Sequence, residues 1–220
     1  MKENTASKFW KILIVFSLLA GSSVPALAAP TVYSGYDIGA GSLAASPNAT
    51  SAAAGFDAAT STSLIDFESA LPAGVGISGG STTNNSGCSG PLCGYNTTLG
   101  GSSFQLVPGG SSTFTFTNPI EAFGAYFTGW QIVSETLVYQ NSSTVTLTMP
   151  PGNLASGGTV FFGFLDPGAQ IISITYNALN DIVAVDDVRF GTASSVPEPI
   201  SLVLMGLGLA GLAGFRRFRR

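Results

Sequence analysis

Apolar and polar residues alternate at every second position through most of the chain from residue 64 onward. A strand turns successive side chains to opposite faces, so this period marks segments with one buried face. It is cleanest in Ser112-Thr-Phe-Thr-Phe-Thr117, where Phe114 and Phe116 fall on the inner side. The same reading predicts strands at 64–68, 104–107, 112–117, 120–128, 136–140, 144–149, 159–165, 170–176 and 182–190. Turn chemistry separates them, at Val107-Pro-Gly-Gly110, Pro150-Pro-Gly-Asn153, Asp166-Pro-Gly168 and Asn180-Asp181. The pattern predicts an all-β domain over 64–191, an antiparallel β-sandwich of jelly-roll type. An immunoglobulin-type Greek key is the alternative, but its Cys…Trp…Cys spacing is missing.

Residues 29–63 follow another pattern, rich in Ala, Ser, Gly and Thr. A strand is predicted at 31–38, and Ser46-Pro47 reads as an N-cap followed by a first-turn proline. One short helix over 48–60 would then turn Ala52, Ala53, Phe56 and Ala59 inward, packed on the sandwich or leading into it.

Both ends of the chain carry addressing patterns. Lys2, Lys8 and Lys11 precede the apolar stretch 12–20, and Ala26-Leu27-Ala28 offers a small-x-small cleavage site, so 1–28 reads as a signal peptide. At the other end a linker, 192–199, contains Val196-Pro197-Glu198-Pro199. An apolar run, 200–215, follows it, and Arg216, Arg217, Arg219 and Arg220 close the chain. As a helix that run is about 24 Å long, short of the ~20 residues a bilayer core asks for but within reach of thinning or arginine snorkelling. Gly206, Ala210 and Gly214 form a small-residue stripe suited to close membrane-helix packing. Residues 200–220 therefore read as a transmembrane helix with a basic stop.

This C-terminal order resembles the PEP-CTERM sorting signal of Gram-negative bacteria. The resemblance implies export and transient anchoring in the inner membrane. It further implies recognition by an exosortase-type membrane protease and release to the cell surface or beyond.

Without its two ends the body is short of cations. Arg189 is the sole basic residue of 29–197, against ten acidic ones, or about nine net negative charges. Such a chain cannot neutralise phosphates, so nucleic acid is excluded as a partner. Divalent cations and neutral sugars remain open.

The body's phrases Ile65-Asp-Phe-Glu68, Ala122-Phe-Gly-Ala-Tyr126, Phe161-Phe-Gly-Phe-Leu-Asp166 and Val185-Asp-Asp-Val188 resemble extracellular domains of PEP-CTERM proteins. They are also similar to the first and last strands of jelly-roll carbohydrate-binding modules. That second resemblance implies a structural calcium ion held by Glu68 and Asp187, with Asp66 and Asp186 as substitutes. Solvated strand-edge charge is the competing reading.

Cys88 and Cys93 are the only cysteines, and in an exported chain they read as a local disulfide. A redox pair would want closer spacing, and zinc more ligands than a chain without histidine offers. Gly76-Ile-Ser-Gly-Gly80 matches a nucleophile elbow without a histidine base, and two dinucleotide-like glycine patterns lack their structural context. Carboxylate pairs drawn from Glu121, Glu135, Asp166, Asp186 and Asp187 would be the remaining acid–base chemistry, and no spacing selects two of them. Trp130, in Thr128-Gly-Trp-Gln131, is the aromatic expected to be exposed for sugar stacking, or else a loop anchor. The chain thus reads as a non-enzymatic surface or matrix protein, with exopolysaccharide recognition as the alternative.

Overall fold

The computed structural model describes residues 29–131, 136–140 and 144–194. The expected signal peptide, the sorting motif, the membrane run and Glu135 lie outside these residues. Among the described residues no helix is long and apolar enough to cross a membrane.

The strands are β1 (Thr31–Ile38), β2 (Thr60–Ile65), β3 (Val75–Ser78), β4 (Ser81–Thr83) and β5 (Phe104–Ile120). They continue with β6 (Ala122–Thr128), β7 (Thr136–Gln140), β8 (Thr144–Thr148), β9 (Gly158–Leu165) and β10 (Ile171–Ala193). One α-helix, α1 (Pro47–Ala59), follows a short 3-10 turn at Leu43–Ala45. Every described pairing is antiparallel. Among the described residues the mostly antiparallel β class with one short α-helix is therefore as expected. Two separate sheets are not seen: hydrogen bonds join all ten strands, with the path β1-β9-β6-β10-β5-β3 as the backbone of the arrangement.

Two long strands make that continuity. The proline-glycine stretch at 108–110 and the Asn-Asp pair at 180–181 do not end their strands, as the turn chemistry predicted. They become paired irregularities at two neighbouring rungs, where Leu179 faces Gly110 and Ile182 faces Pro108. Gly109, Gly110 and Leu179 all take left-handed backbone there, with φ of 71°, 72° and 53°. When both partners bend together the ladder survives the bend, so β5 and β10 each replace two expected strands. The glycine-rich stretch 74–83, where no strand was expected, instead supplies β3 and β4 along β5. Gly79 and Gly80 join them across the bend; a Cβ at Gly79 would lie 2.2 Å from the Ser111 carbonyl.

Strand β2 stops three residues short of its expected end. Asp66 Oδ1 accepts the Glu68 N–H at 3.1 Å and the Ser69 hydroxyl at 3.3 Å. Phe67 between them turns to φ 58°, so a local aspartate turn outcompetes the ladder.

Strands β6 and β9 are buried on both faces. Phe123, Ala125, Phe127, Val160, Phe162 and Phe164 join the main core with Phe114, Tyr139 and Ile174. The opposite face turns Ala122, Tyr126, Phe161 and Leu165 to Ala49, Ala53 and Phe56 of α1. Gly124 and Gly163, paired in register, leave the hollow that Phe56 fills. Gly35 of β1 lies closer still to the helix, its missing Cβ position only 2.1 Å from the Asn48 carbonyl.

Ser46 stands at the N-cap of α1 with Pro47 in the first turn, as expected, but its hydroxyl donates to the Ser42 carbonyl and bonds no helix N–H. Asp37 of β1 reaches across and accepts the Asn48 N–H on Oδ1 (3.2 Å) and the Ala49 N–H on Oδ2 (2.8 Å). A carboxylate there meets both the orphan donors and the positive end of the helix dipole.

Replacing Asp37 by Ala is expected to cost about 1–2 kcal/mol, the usual worth of a helix cap. Gly35→Ala is expected to cost about 3 kcal/mol, because the new methyl meets backbone that cannot step aside. Urea unfolding of the two variants checks both values and their order.

Candidate functional site

Three of the acidic residues singled out in the sequence, Glu68, Asp186 and Asp187, gather around one loop, residues 96–103. In a regular strand Asp186 and Asp187 would face opposite sides of the sheet. Here the β10–β6 register shifts between Asp186 and Arg189, and Asp187 adopts φ 46°. The interruption lets both carboxylates reach the same two threonines. Asp186 Oδ2 accepts the Thr97 N–H at 2.6 Å and the Thr98 N–H at 3.2 Å. Asp187 Oδ1 accepts the Thr98 hydroxyl at 2.7 Å. The Thr97 hydroxyl lies 3.1 Å from Asp186 Oδ2 and 3.1 Å from Asp187 Oδ2. It has a single proton for those two acceptors.

Glu68 holds the other limb of the loop. Its Oε1 accepts the N–H groups of Ser102 and Ser103 and the Asn96 amide. Gly101 makes that approach feasible, since a Cβ would lie 2.5 Å from Glu68 Oε1. The loop is thus tied at both limbs, and Leu99 at its tip is fully exposed.

The expected calcium ligands do not assemble a cage. Among the described residues no three His, Cys, Asp or Glu side chains converge as metal ligands. Asp66 closes its own turn, Glu68 holds one limb, and Asp186 and Asp187 hold the other. The atoms surrounding these oxygens are largely N–H and hydroxyl donors, whose positive ends face the place a cation would need.

Burial pushes Asp186 up to about 6, against the help of the Thr97 N–H and with a further push from the Asp187 charge. Its Oδ1 is buried with no hydrogen-bond partner among the described residues. Arg189 neutralises none of the four side chains. It pairs with Asp57 at 3.0 Å and donates to the Asp187 carbonyl at 2.7 Å. Its guanidinium also lies 5.3 Å from the Tyr126 ring centre and 5.6 Å from that of Phe161. Burial raises the Tyr126 hydroxyl to about 12, with Arg189 pulling the other way.

Trp130 is not an exposed platform. It is wholly buried, its Nε1 donates to the Pro150 carbonyl at 3.0 Å, and its ring meets Phe127 edge-on. The left-handed Gly129 before it turns the indole into the core, which alternation alone did not reveal. Tyr36 and Tyr95 also serve as anchors, donating to Gly157 and bonding Thr159 respectively, and Tyr33 sits edge-on to Phe56. The Cys88–Cys93 disulfide is formed, with S–S 2.06 Å.

The other acids serve the same way. Asp166 accepts the Tyr139 hydroxyl at 2.7 Å, and Glu121 accepts the N–H groups of Gly168 and Ala193. The side-chain amides of Asn48 and Asn96 donate to Asp37 and Glu68. The loop partners Thr97, Thr98, Ser102 and Ser103 escaped the sequence reading. Their only signal is a stretch of hydroxyl and glycine residues with no strand period. An uncharged hollow of about 380 Å³ opens nearby, lined by Phe67, Leu71, Ile77, Ser81, Thr82 and Gln105.

Residues 195–220 match the PEP-CTERM protein-sorting motif. That motif marks an exported protein, membrane-anchored in transit and delivered to the cell surface or beyond, and it implies processing by an exosortase. No curated protein and no solved structure matches the chain.

The buried acid pair gives stability a pH slope of definite sign. Asp186 holds its proton more tightly folded than unfolded, so the folded state carries more protons between about pH 4 and pH 6. Stability is fully present below that window and falls as pH rises through it, by on the order of 3 kcal/mol. Melting temperature should therefore be higher at pH 4 than at pH 7. Asp186→Asn should flatten the difference; an unchanged slope in that variant would locate the proton elsewhere.

Proposed function

We propose that this exported, exosortase-sorted protein is a non-enzymatic structural or adhesive component of the cell surface or extracellular matrix. The observation that carries the reading is how the body's acids are used. Asp37, Glu68, Glu121, Asp166, Asp186 and Asp187 each accept hydrogen bonds from the protein's own N–H or hydroxyl groups. Groups occupied in holding loops are poorly placed for acid–base work on a substrate, which wants a free carboxylate beside the reacting atom. A surface of hydroxyls and amides with one cation suits a neutral, hydrated polymer environment.

Exopolysaccharide recognition is the second reading, and one feature favours it. The hollow beside Gln105 combines an apolar floor, Phe67 and Ile77, with the hydroxyls of Ser81 and Thr82 and no charge. That is the chemistry by which sugar-ring faces and hydroxyls are bound. Trp130 takes no part in it.

Replacing Pro197 and Glu198 together by Ala is expected to leave the protein in the membrane fraction, while the unaltered chain is found at the surface or in the medium. A glycan array with the released protein separates the two readings. No selective signal is expected for the structural role; a selective one abolished by Thr82→Trp would shift the function to sugar binding.

A further inference from the structure

The exit of the last strand is held by the Glu121 carboxylate together with backbone bonds. β10 stays paired to Ala193, whose N–H donates to Glu121 Oε2 at 3.1 Å. The other oxygen, Oε1, accepts the Gly168 N–H at 2.9 Å from the turn that leads into β10. Glu121 is itself tied down: its N–H donates to the Gly191 carbonyl at 2.7 Å, and its carbonyl accepts the Asp166 N–H at 2.8 Å. One residue further, the Ser194 N–H donates to the Ala59 carbonyl at 2.9 Å. The sorting motif begins at the next residue.

The register places this exit relative to the rest of the domain. Thr31 faces Leu165, Leu165 faces Ala122, and Ala122 faces Gly191. The first strand therefore begins at the sheet end where the last one leaves, about 14 Å away across three strand spacings. The opposite end, where Ile38 faces Gly158, carries the disulfide loop through the Gly158 N–H bonded to the Pro91 carbonyl.

We propose that Glu121 is a latch that restrains processing at the adjoining sorting motif. It keeps β10 paired to its end, so that the sorting motif must meet the exosortase close to the folded sheet. The proposal rests on the exosortase reading of the motif. Five residues, 195–199, lie between the last held residue and the apolar run. Fully extended they span at most about 17 Å, and the headgroup zone alone takes about 5–7 Å of that. A membrane protease must work in the gap that remains. Each residue released from β10 lengthens the gap by about 3.4 Å, so the latch restrains processing.

The test follows conversion of the anchored to the released form of the full-length protein in a bacterium that carries an exosortase. Glu121→Ala is expected to speed conversion at least two-fold and to raise hydrogen exchange at the Ala193 amide. A six-residue Gly-Ser insertion after Ser194, with Glu121 intact, should give the same acceleration, and the combination no more. The insertion leaves the latch and fold untouched, so it decides the matter if Glu121→Ala misfolds. Unchanged or slower conversion in the insertion variant overturns the proposal. If the Pro197/Glu198 double Ala variant is converted like the unaltered chain, the sorting reading fails and takes this proposal with it.

Discussion

A buried carboxylate must find positive charge somewhere, and between residues 29 and 194 this chain offers only Arg189. Ion pairing is therefore closed to nearly all of its acids. What remains is the dipole of the backbone N–H and the hydroxyl proton of Ser, Thr or Tyr, and the structure uses these throughout. Asp37 takes the free donors of α1, Glu68 those of Ser102 and Ser103, and Asp186 those of Thr97 and Thr98. Asp181 does the same with Gln131 and Ile182. Each such acid joins elements distant in the chain, so scarcity of cations turns the acids into ties between loops and the sheet.

That role depends on an unusual supply of close approaches. A carboxylate can gather adjacent N–H groups only where the loop curls tightly around it, which requires residues with little side chain. Gly101 beside Glu68 has no room for a Cβ, and Gly157 has none beside the Pro91 carbonyl. The high content of Gly, Ser and Thr is thus more than a polar coating. Glycine lets the backbone come near, and the hydroxyls complete the acceptors' shells. The arrangement leaves one strained point, the Asp186–Asp187 pair, where one hydroxyl proton on Thr97 faces two carboxylates.

Legibility in the sequence divides along the range of the interactions. Alternation located β6, β7, β8 and β9 to within two residues, and the Ser-Pro signal located α1, because both depend on neighbours in the chain. The bends in β5 and β10 were misread as turns for the same reason. Pro108-Gly-Gly and Asn180-Asp have turn chemistry locally, and only their mutual pairing keeps the ladder going. The acids of the candidate site were visible, but their partners were not. Thr97 lies 89 residues from Asp186 and Ser103 lies 35 from Glu68, and nothing in a hydroxyl-rich loop names its acceptor. Trp130 shows the converse: Gly129 before it suggested an exposed turn, and the same glycine drives the ring inward. The sorting motif was fully legible because it is a contiguous signal.

The strand that completes the sheet is also the strand that ends in the sorting signal, and this couples folding to position in the chain. β10 pairs with β2, β5, β6 and β7, more partners than any other strand. In order of synthesis it arrives last. Before it does, β5 lacks its longest partner, and β6 is paired on one edge only, by β9. The core residues Ile174, Val183, Val185 and Val188 are then also missing. Such an incomplete sheet exposes open edges and an unfilled core, so the cooperative fold cannot close around β1–β9 alone. Closure waits for Ala193, and Ser195 already belongs to the sorting motif. Folding and presentation of that motif are therefore set by the same few residues. The carboxylate of Glu121, which bonds Gly168 before β10 and Ala193 at its end, is the group that marks the strand as complete.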